Sequence, residues 1–312
     1  MLPVPVCSMV SLIVVSCGDV ASYNQANALL EMDDWEEMDS VEGHRALRFA
    51  DARMWWMPDG VLWEDNLDKR WTAVTGEVPC EVIFPSRHSA ASGQASLTLH
   101  PIGTMQIQPG QEPQYGGKAG DCPPPNPRIA AWWRELNRVG SQLDEFDLSL
   151  ETTHHGPWLE TPSLFIEIGS TEATWGHLGA AKLLAGIIHR GLGLDGGNGF
   201  GEWDGDGKVV LTLGGGHYAP RANKIAMAEN VYLGHMLATY AIPFERDEEE
   251  NISGMWEQSI RAAVTSTQLA YPGANLLSSL EKKAFKGWQR QAIRDLMAEL
   301  GIPILRTKDI IG

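Results

Sequence analysis

Short apolar runs of β character recur along the chain, and several close on a histidine set beside Gly, Pro or Ser. Phe146-Asp147-Leu148-Ser149-Leu150 alternates apolar and polar positions, the period of a half-buried strand, and leads through Glu151-Thr152-Thr153 into His154-His155-Gly156-Pro157. Val82-Ile83-Phe84 leads into Ser86-Arg87-His88-Ser89, and Ser96-Leu97-Thr98-Leu99 into His100-Pro101. Val209-Val210-Leu211-Thr212-Leu213 leads into Gly214-Gly215-Gly216-His217-Tyr218. Five of the nine histidines, His88, His100, His154, His155 and His217, therefore follow predicted strands. If these strands are neighbours in one sheet and point the same way, the imidazoles converge above its carboxyl edge, where α/β folds collect ligands.

Between these runs the spacing predicts helices. Residues 12–15 read as a first buried, edge-of-core strand, and a helix begins at Asp19. Ile129, Trp132, Trp133, Leu136 and Val139 recur at three and four residues, predicting a helix over 127–143 that stops near Gly140. Residues 163–170 read as a strand with one acid, Glu167, in its interior, and a helix starts at Ser170 or Thr171. Residues 226–240, with His235, are expected to be helical, and so is most of 256–311. The alternation predicts an α/β fold with a mostly parallel central sheet flanked by helices. One domain is expected over 11–312, with a mainly helical part from 245 onward and a short extension at 1–10.

Composition narrows the class. With 312 residues, 43% hydrophobic and 21% charged, the chain has the makeup of a globular enzyme with a proper core. Its four cysteines, Cys7, Cys17, Cys80 and Cys122, show no Cys-x-x-Cys spacing, so a metal would be held by His and carboxylate. The amino terminus is apolar but carries no Lys or Arg before Arg45, which argues against a secretory signal or transit peptide. No apolar stretch reaches the roughly 20 residues of a membrane span. The expected location is cytoplasmic.

Net charge is −16, which excludes a protein that grips nucleic acid by bulk electrostatics. A nucleic-acid substrate would have to meet a few concentrated cations: Arg87, Lys118, Arg221 and Lys224 near the histidine segments, or Lys282, Lys283, Lys286, Arg290 and Arg294 in the tail. Trp55, Trp56, Trp63 and Trp71 could stack on unpaired bases, although core packing is their ordinary use.

The remaining candidates follow from residue chemistry. Glu167 must be paired or bound to a cation if its strand is buried. Helix amides at Ser170 and Thr171 can hold an anion. The glycines at 214–216 let backbone amides approach a substrate, so Gly215 and Gly216 are candidate oxyanion donors.

Taken in order, SRHS at 86–89, LTLHP at 97–101, THHGP at 153–157, FIEIGSTEATW at 165–175 and GGGHYAP at 214–220 resemble the archaeal and plant type of D-aminoacyl-tRNA deacylase. The resemblance runs from about Val14 to the carboxyl terminus. It implies hydrolysis of the ester joining a D-amino acid to tRNA, a fold related to peptidyl-tRNA hydrolases, and zinc as cofactor. One departure stands out: where the family has Pro-Lys-Tyr, this chain has Ala238-Thr239-Tyr240.

Two mechanisms fit these residues. In one, His154 and His155 with His88 or His217 ligate zinc, which activates a water. In the other, a histidine oriented by Glu151 or Glu167 is the general base and Gly215 and Gly216 receive the oxyanion. Arg87, His88, Ser170, Thr171, Tyr218 and Arg221 are the expected substrate contacts. A monomer with tRNA as partner is expected, with no obligate protein partner. The rival classes are a metal-dependent hydrolase of small esters or amides and a noncatalytic phosphate- or nucleotide-binding protein.

Overall fold

The computed structural model describes residues 9–312, so all but the last two residues of the expected extension, together with Cys7, lie outside the described residues. In chain order the strands are β1 (Met9–Ser16), β2 (Glu36–Glu37), β3 (Ala46–Phe49), β4 (Ala52–Met57), β5 (Val78–Arg87), β6 (Ser96–His100), β7 (Asp147–Leu150) and β8 (Ser163–Gly169). They form one sheet in the order β2-β3-β4-β1-β5-β8-β6-β7. β4, β1, β5 and β8 run parallel, whereas β6 lies antiparallel to β8 and β7 parallel to β6. β1 is therefore an interior strand, not an edge, and it starts at Met9. Its almost unbroken apolar run is what a strand covered on both faces requires.

The helices that cover one face are α1 (Val20–Leu30), α3 (Ile129–Gly140) and α5 (Leu178–Gly191); α2 (Leu67–Thr75) and α4 (Glu172–Trp175) complete this half of the chain. The Asp19 carboxylate caps α1 by accepting from the amides of Ala21 and Ser22. Leu164, Ile166 and Ile168 of β8 pack with Ile13, Val15, Ile83 and Leu97 beneath these helices. The opposite face carries Leu12, Val14, Phe84 and Phe165, packed with Trp55 and Trp71. The expected helix after Ser170 breaks at Gly176, and the His177 ring restarts it by accepting the Ala180 amide at 3.0 Å.

A second, three-stranded parallel sheet has the order β10-β9-β13, from β9 (Lys208–Leu213), β10 (Val231–Leu237) and β13 (Leu276–Leu280). Val210, Leu233 and Met236 face the first core, while Val209, Leu211 and Leu213 meet α7 (Trp256–Ala270) and α8 (Gly287–Glu299) in another. Helix α6 (Pro220–Ala226), a two-residue hairpin of β11 (Glu245–Arg246) with β12 (Ile252–Ser253), and α9 (Thr307–Ile310) complete the chain. The helix expected over 226–240 is instead β10. Burial on both faces makes its apolar run indistinguishable by period from a buried helix. Gly234 is needed there, since a Cβ would lie 2.6 Å from the Thr267 side chain.

Two expectations about the histidines change with this topology. They come from two sheets, because His217 follows β9. The strands delivering them do not all point the same way, because β6 and β7 oppose β5 and β8. The site nevertheless lies at the carboxyl ends of parallel strands: Ser16, Gly18 and Asp19 at the end of β1, Asp59 to Trp63 after β4 and Ser86 to Ser89 at the end of β5 line its cavity.

Candidate active site

The floor of the site is set by register. Phe84 of β5, Phe165 of β8 and His100 of β6 lie side by side across three strands, and Ser86, Glu167 and Thr98 form the next such row. The pleat sends both rows to the same face. The rings of Phe84 and Phe165 stack at 4.6 Å, and His100 stacks on Phe165 at 5.3 Å. Glu167 thus emerges from an aromatic base, buried, with Thr98 Oγ1 donating to it at 3.4 Å. Its Oε2 lies 3.5 Å from His100 Nε2 and 3.6 Å from His88 Nδ1.

Glu151 is held at the end of β7, where its amide donates to the Leu99 carbonyl. Its carboxylate is fully buried, with Oε1 3.1 Å from His88 Nδ1 and Oε2 2.9 Å from His217 Nε2. A bridge between Glu151 and Tyr218 sets the 217–218 segment alongside. Thr152 then donates its amide and hydroxyl to the His217 carbonyl, and the Thr153 amide donates to the Met236 carbonyl. These bonds stitch the loop after β7 onto the second sheet and turn His154 and His155 back over the first. Ring centroids of His154 lie 4.2 Å from His100, 4.4 Å from His155 and 4.5 Å from His217.

Backbone carbonyls settle the tautomers of three of these rings. A carbonyl can only accept, so Nδ1–H of His154 donates to Thr152 O at 2.7 Å, that of His155 to Gly156 O at 2.7 Å, and that of His100 to Pro101 O at 3.0 Å. In the neutral rings the lone pair therefore sits on Nε2. The three residues offer ligand atoms within 4.8 Å of one another, as do His88, Glu151 and His217, and also His100, Glu151 and Glu167. The His100 Nε2 and both Glu151 carboxylate oxygens are buried without a hydrogen-bond partner. Buried acceptors of this kind are costly unless a cation or proton joins them. The donor set of imidazole and carboxylate suits zinc.

The charges divide accordingly. Desolvation opposes a charge on His88 and His100, but the carboxylates of Glu167 and Glu151 outweigh it and raise both rings above the ordinary imidazole value. Burial would likewise lift Glu167, yet His100 and His88 hold it well below the usual carboxylate range. His154 is driven well below the imidazole value by desolvation and by the neighbouring rings, and desolvation brings His155 to about 3. His154 and His155 are thus neutral donors beside a charged carboxylate.

The hollow opens into a cavity of about 700 Å³ whose lining includes His88, His154, His155, Glu167 and His217 with Asp19, Asp59, Leu62, Trp63, Arg87 and Tyr115. Arg87 is exposed and lies over the Trp175 ring at 4.9 Å; its amide donates to Asp19 Oδ2. Tyr218 OH is 3.1 Å from His88 Nε2.

Other expected contacts fall elsewhere. Arg221 binds Glu281 and the Leu280 carbonyl at β13 and does not line the cavity. The Ser170 hydroxyl donates to the Gln94 carbonyl, and Thr171 caps α4, so neither reaches the cavity. Gly215 donates its amide to Thr239 Oγ1 at 3.0 Å, and neither Gly215 nor Gly216 lines the cavity; the expected oxyanion donors are not there. The ligand grouping changes as well. His154 and His155 associate with His100, while His88 and His217 associate with Glu151. The sequence places His100 at a strand end but does not mark it as a possible ligand. Tyr240, whose OH is 3.3 Å from His217 Nδ1, has no signal beyond its place in the departing Ala-Thr-Tyr triplet.

Comparison with known proteins gives a consistent picture. The family model described as D-aminoacyl-tRNA deacylase matches residues 75–305. The D-aminoacyl-tRNA deacylase of Arabidopsis thaliana is 40% identical over 315 residues, covering 96% of this chain and 99% of the plant protein. That of Pyrococcus furiosus is 31% identical, covering 92% of this chain and 96% of its own. The crystal structure of a conserved protein of unknown function superposes with a TM-score of 0.80 at 24% identity, covering 97% of both chains, and shows the same α/β fold.

Proposed function

The chain belongs to the D-aminoacyl-tRNA deacylase family, and on that premise we propose that the hollow of His88, His100, His154, His155, His217, Glu151 and Glu167 is where it hydrolyses the ester of D-aminoacyl-tRNA. The products are free D-amino acid and tRNA, which makes the reaction a chirality proofreading step for translation. The observation that carries the placement is the gathering of four imidazoles and Glu167 in the lining of one cavity, with His100 and Glu151 buried directly behind them.

Zinc fits the donor set and is the metal we assign, held by Nε2 of His100, His154 and His155. When bound, it supplies Lewis-acid activation of water and of the ester carbonyl. The chain's own groups do the rest. Glu151, buried behind the cavity, orients His217 through Nε2 at 2.9 Å and His88 through Nδ1 at 3.1 Å, and His217, which lines the cavity, takes the proton of the attacking water and returns it to the ribose oxygen that leaves. Glu167 keeps His88 and His100 oriented, and Tyr218 fixes the far nitrogen of His88. The aromatic floor of Phe84 and Phe165 keeps bulk water from beneath.

An acidic chain meets tRNA through local cations. Lys118 is neutralised by Asp121, and Arg221 by Glu281, which removes two of the expected candidates. Lys282, Lys283 and Lys286 are exposed around Phe285, against which Gly214 packs three residues before His217. We assign phosphate contacts to these lysines and to Arg87. Among the described residues no helix is long and apolar enough to cross a membrane; a cytoplasmic monomer is the form proposed.

The test is direct. Purified protein is given tRNA charged with D-tyrosine, with L-tyrosine, and the ethyl ester of D-tyrosine, with and without a chelator. Turnover of the D-aminoacyl-tRNA alone supports the reading; turnover restricted to the small ester overturns it.

A further inference from the structure

Of the four tryptophans with the sequence position to stack on bases, Trp55 and Trp71 are fully buried and Trp56 is nearly so. Trp63 differs: it is 55% exposed and lines the cavity that holds the histidines. Tyr115 is also 55% exposed and lines the same cavity. Neither ring is packed against another aromatic ring or a cation among the described residues. Large aromatic side chains left this open at the mouth of a polar hollow carry an apolar face with no partner of its own.

Their positions are fixed by backbone. Gly156, next to His155, donates its amide to the Tyr115 carbonyl at 3.0 Å. A Cβ on Gly116 would lie 1.7 Å from the Leu62 carbonyl oxygen, and one on Gly156 would lie 2.3 Å from the Gly117 amide and 2.5 Å from that same Leu62 oxygen. Three chain segments therefore touch without side chains between them, and the contact places Trp63 and Tyr115 each one residue away from a point anchored to the histidine turn. Among the described residues, Arg87 is the one Lys or Arg in the cavity lining.

We propose that Trp63 and Tyr115 form the seat for the terminal nucleobase of the tRNA acceptor end. The base stacks on the Trp63 indole and is bounded by Tyr115, the adjacent phosphate meets Arg87, and the ribose carrying the ester is left at His154, His155 and His217, which line the same cavity. Every tRNA ends in the same unpaired nucleotide, so a stacking seat recognises the whole substrate class without reading the amino acid. This rests on the deacylase reading given above.

The test compares the wild-type chain with Trp63→Ala, Trp63→Phe and Tyr115→Ala. Deacylation of tRNA charged with D-tyrosine and with D-alanine is measured, together with competition by the RNA trinucleotide CCA and by the same trinucleotide lacking its last base. Stacking of one base gives a KM increase of roughly 5- to 150-fold on truncation. The expected result is such an increase for both charged tRNAs in the alanine variants, with kcat within about twofold and Trp63→Phe close to wild type. The CCA trinucleotide should compete, weakly so against Trp63→Ala, and the base-lacking trinucleotide should not. An unchanged KM in both alanine variants overturns the proposal, and so does a loss confined to D-tyrosine, which would make these rings the site of the amino-acid side chain. If CCA binds through Trp63 while no D-aminoacyl-tRNA is turned over, the base seat stands and the deacylase reading falls.

Discussion

His217 Nε2 lies 2.9 Å from Glu151 Oε2, joining the loop after one sheet to a fully buried carboxylate at the end of a strand in another. His88 approaches the other oxygen of the same group at 3.1 Å. A single carboxylate thus links three segments of the candidate site. Glu151→Gln keeps its shape but removes the charge and one acceptor. We expect kcat/KM for D-aminoacyl-tRNA to fall by roughly 100-fold or more, with the circular dichroism spectrum unchanged; wild-type activity in this variant would move the base elsewhere.

If zinc is held as proposed by Nε2 of His100, His154 and His155, removing these rings should release it. In His100→Ala and His155→Ala, zinc content measured by mass spectrometry should drop to a small fraction of the wild-type stoichiometry. Chelation of the wild-type protein should lower its Tm, since a ligand that binds only the folded chain stabilises it. Full zinc content in both variants would place the ion with His88, Glu151 and His217 instead.

His235 sits wholly buried between Thr153 and Ser266, away from solvent, and desolvation brings its pKa from the ordinary imidazole value down to about 3. Between those values the unfolded chain binds a proton that the native chain refuses, so stability falls as pH falls through that window. The slope from this one ring is ~1.4 kcal/mol per pH unit, about 2 kcal/mol between roughly pH 6.5 and pH 5. Urea unfolding of His235→Gln should start from a less stable protein at neutral pH but lose less on acidification. An acid limb as steep as that of the wild type would show that His235 is not the group responsible.

Gly116→Ala should be costly, because its Cβ would meet the Leu62 carbonyl and its φ is +67°. We expect a loss of ~1–3 kcal/mol, read as a lowered Tm, and weaker activity through the displaced Trp63 loop. Gly216→Ala is the control. Its Cβ would find open space, and stability should stay within about 0.5 kcal/mol of wild type.

Lys282, Lys283 and Lys286 replaced together by Ala should raise KM for charged tRNA without altering kcat. The dependence of log KM on log salt should become shallower by roughly one unit for each lysine that pairs with a phosphate in the wild type. An unchanged salt slope would leave Arg87 as the main phosphate contact.

Much of the molecule is legible along the chain, because local chemistry determines it. The capped start of α1 at Asp19, the amphipathic α3 and the acid inside β8 all follow from residue type and spacing. So does the habit of placing a histidine after several of the β runs, which is a property of the chain alone. β10 escapes such a reading because a segment buried on both sides loses the periodicity that separates strand from helix.

The amino-acid sequence by itself determined which side chains are available for chemistry and that they follow strands. Only the tertiary structure decided how they are grouped. Strand direction put β6 and β7 against β8, so His100 lies beside Phe165 and opposite His154, and a second sheet brought His217 to Glu151. Arg221 and Ser170 were drawn to partners that no local pattern announces. The physical reason is that register and strand order are set by burial summed over the whole core, whereas capping, pleat and helical period are settled within a few residues.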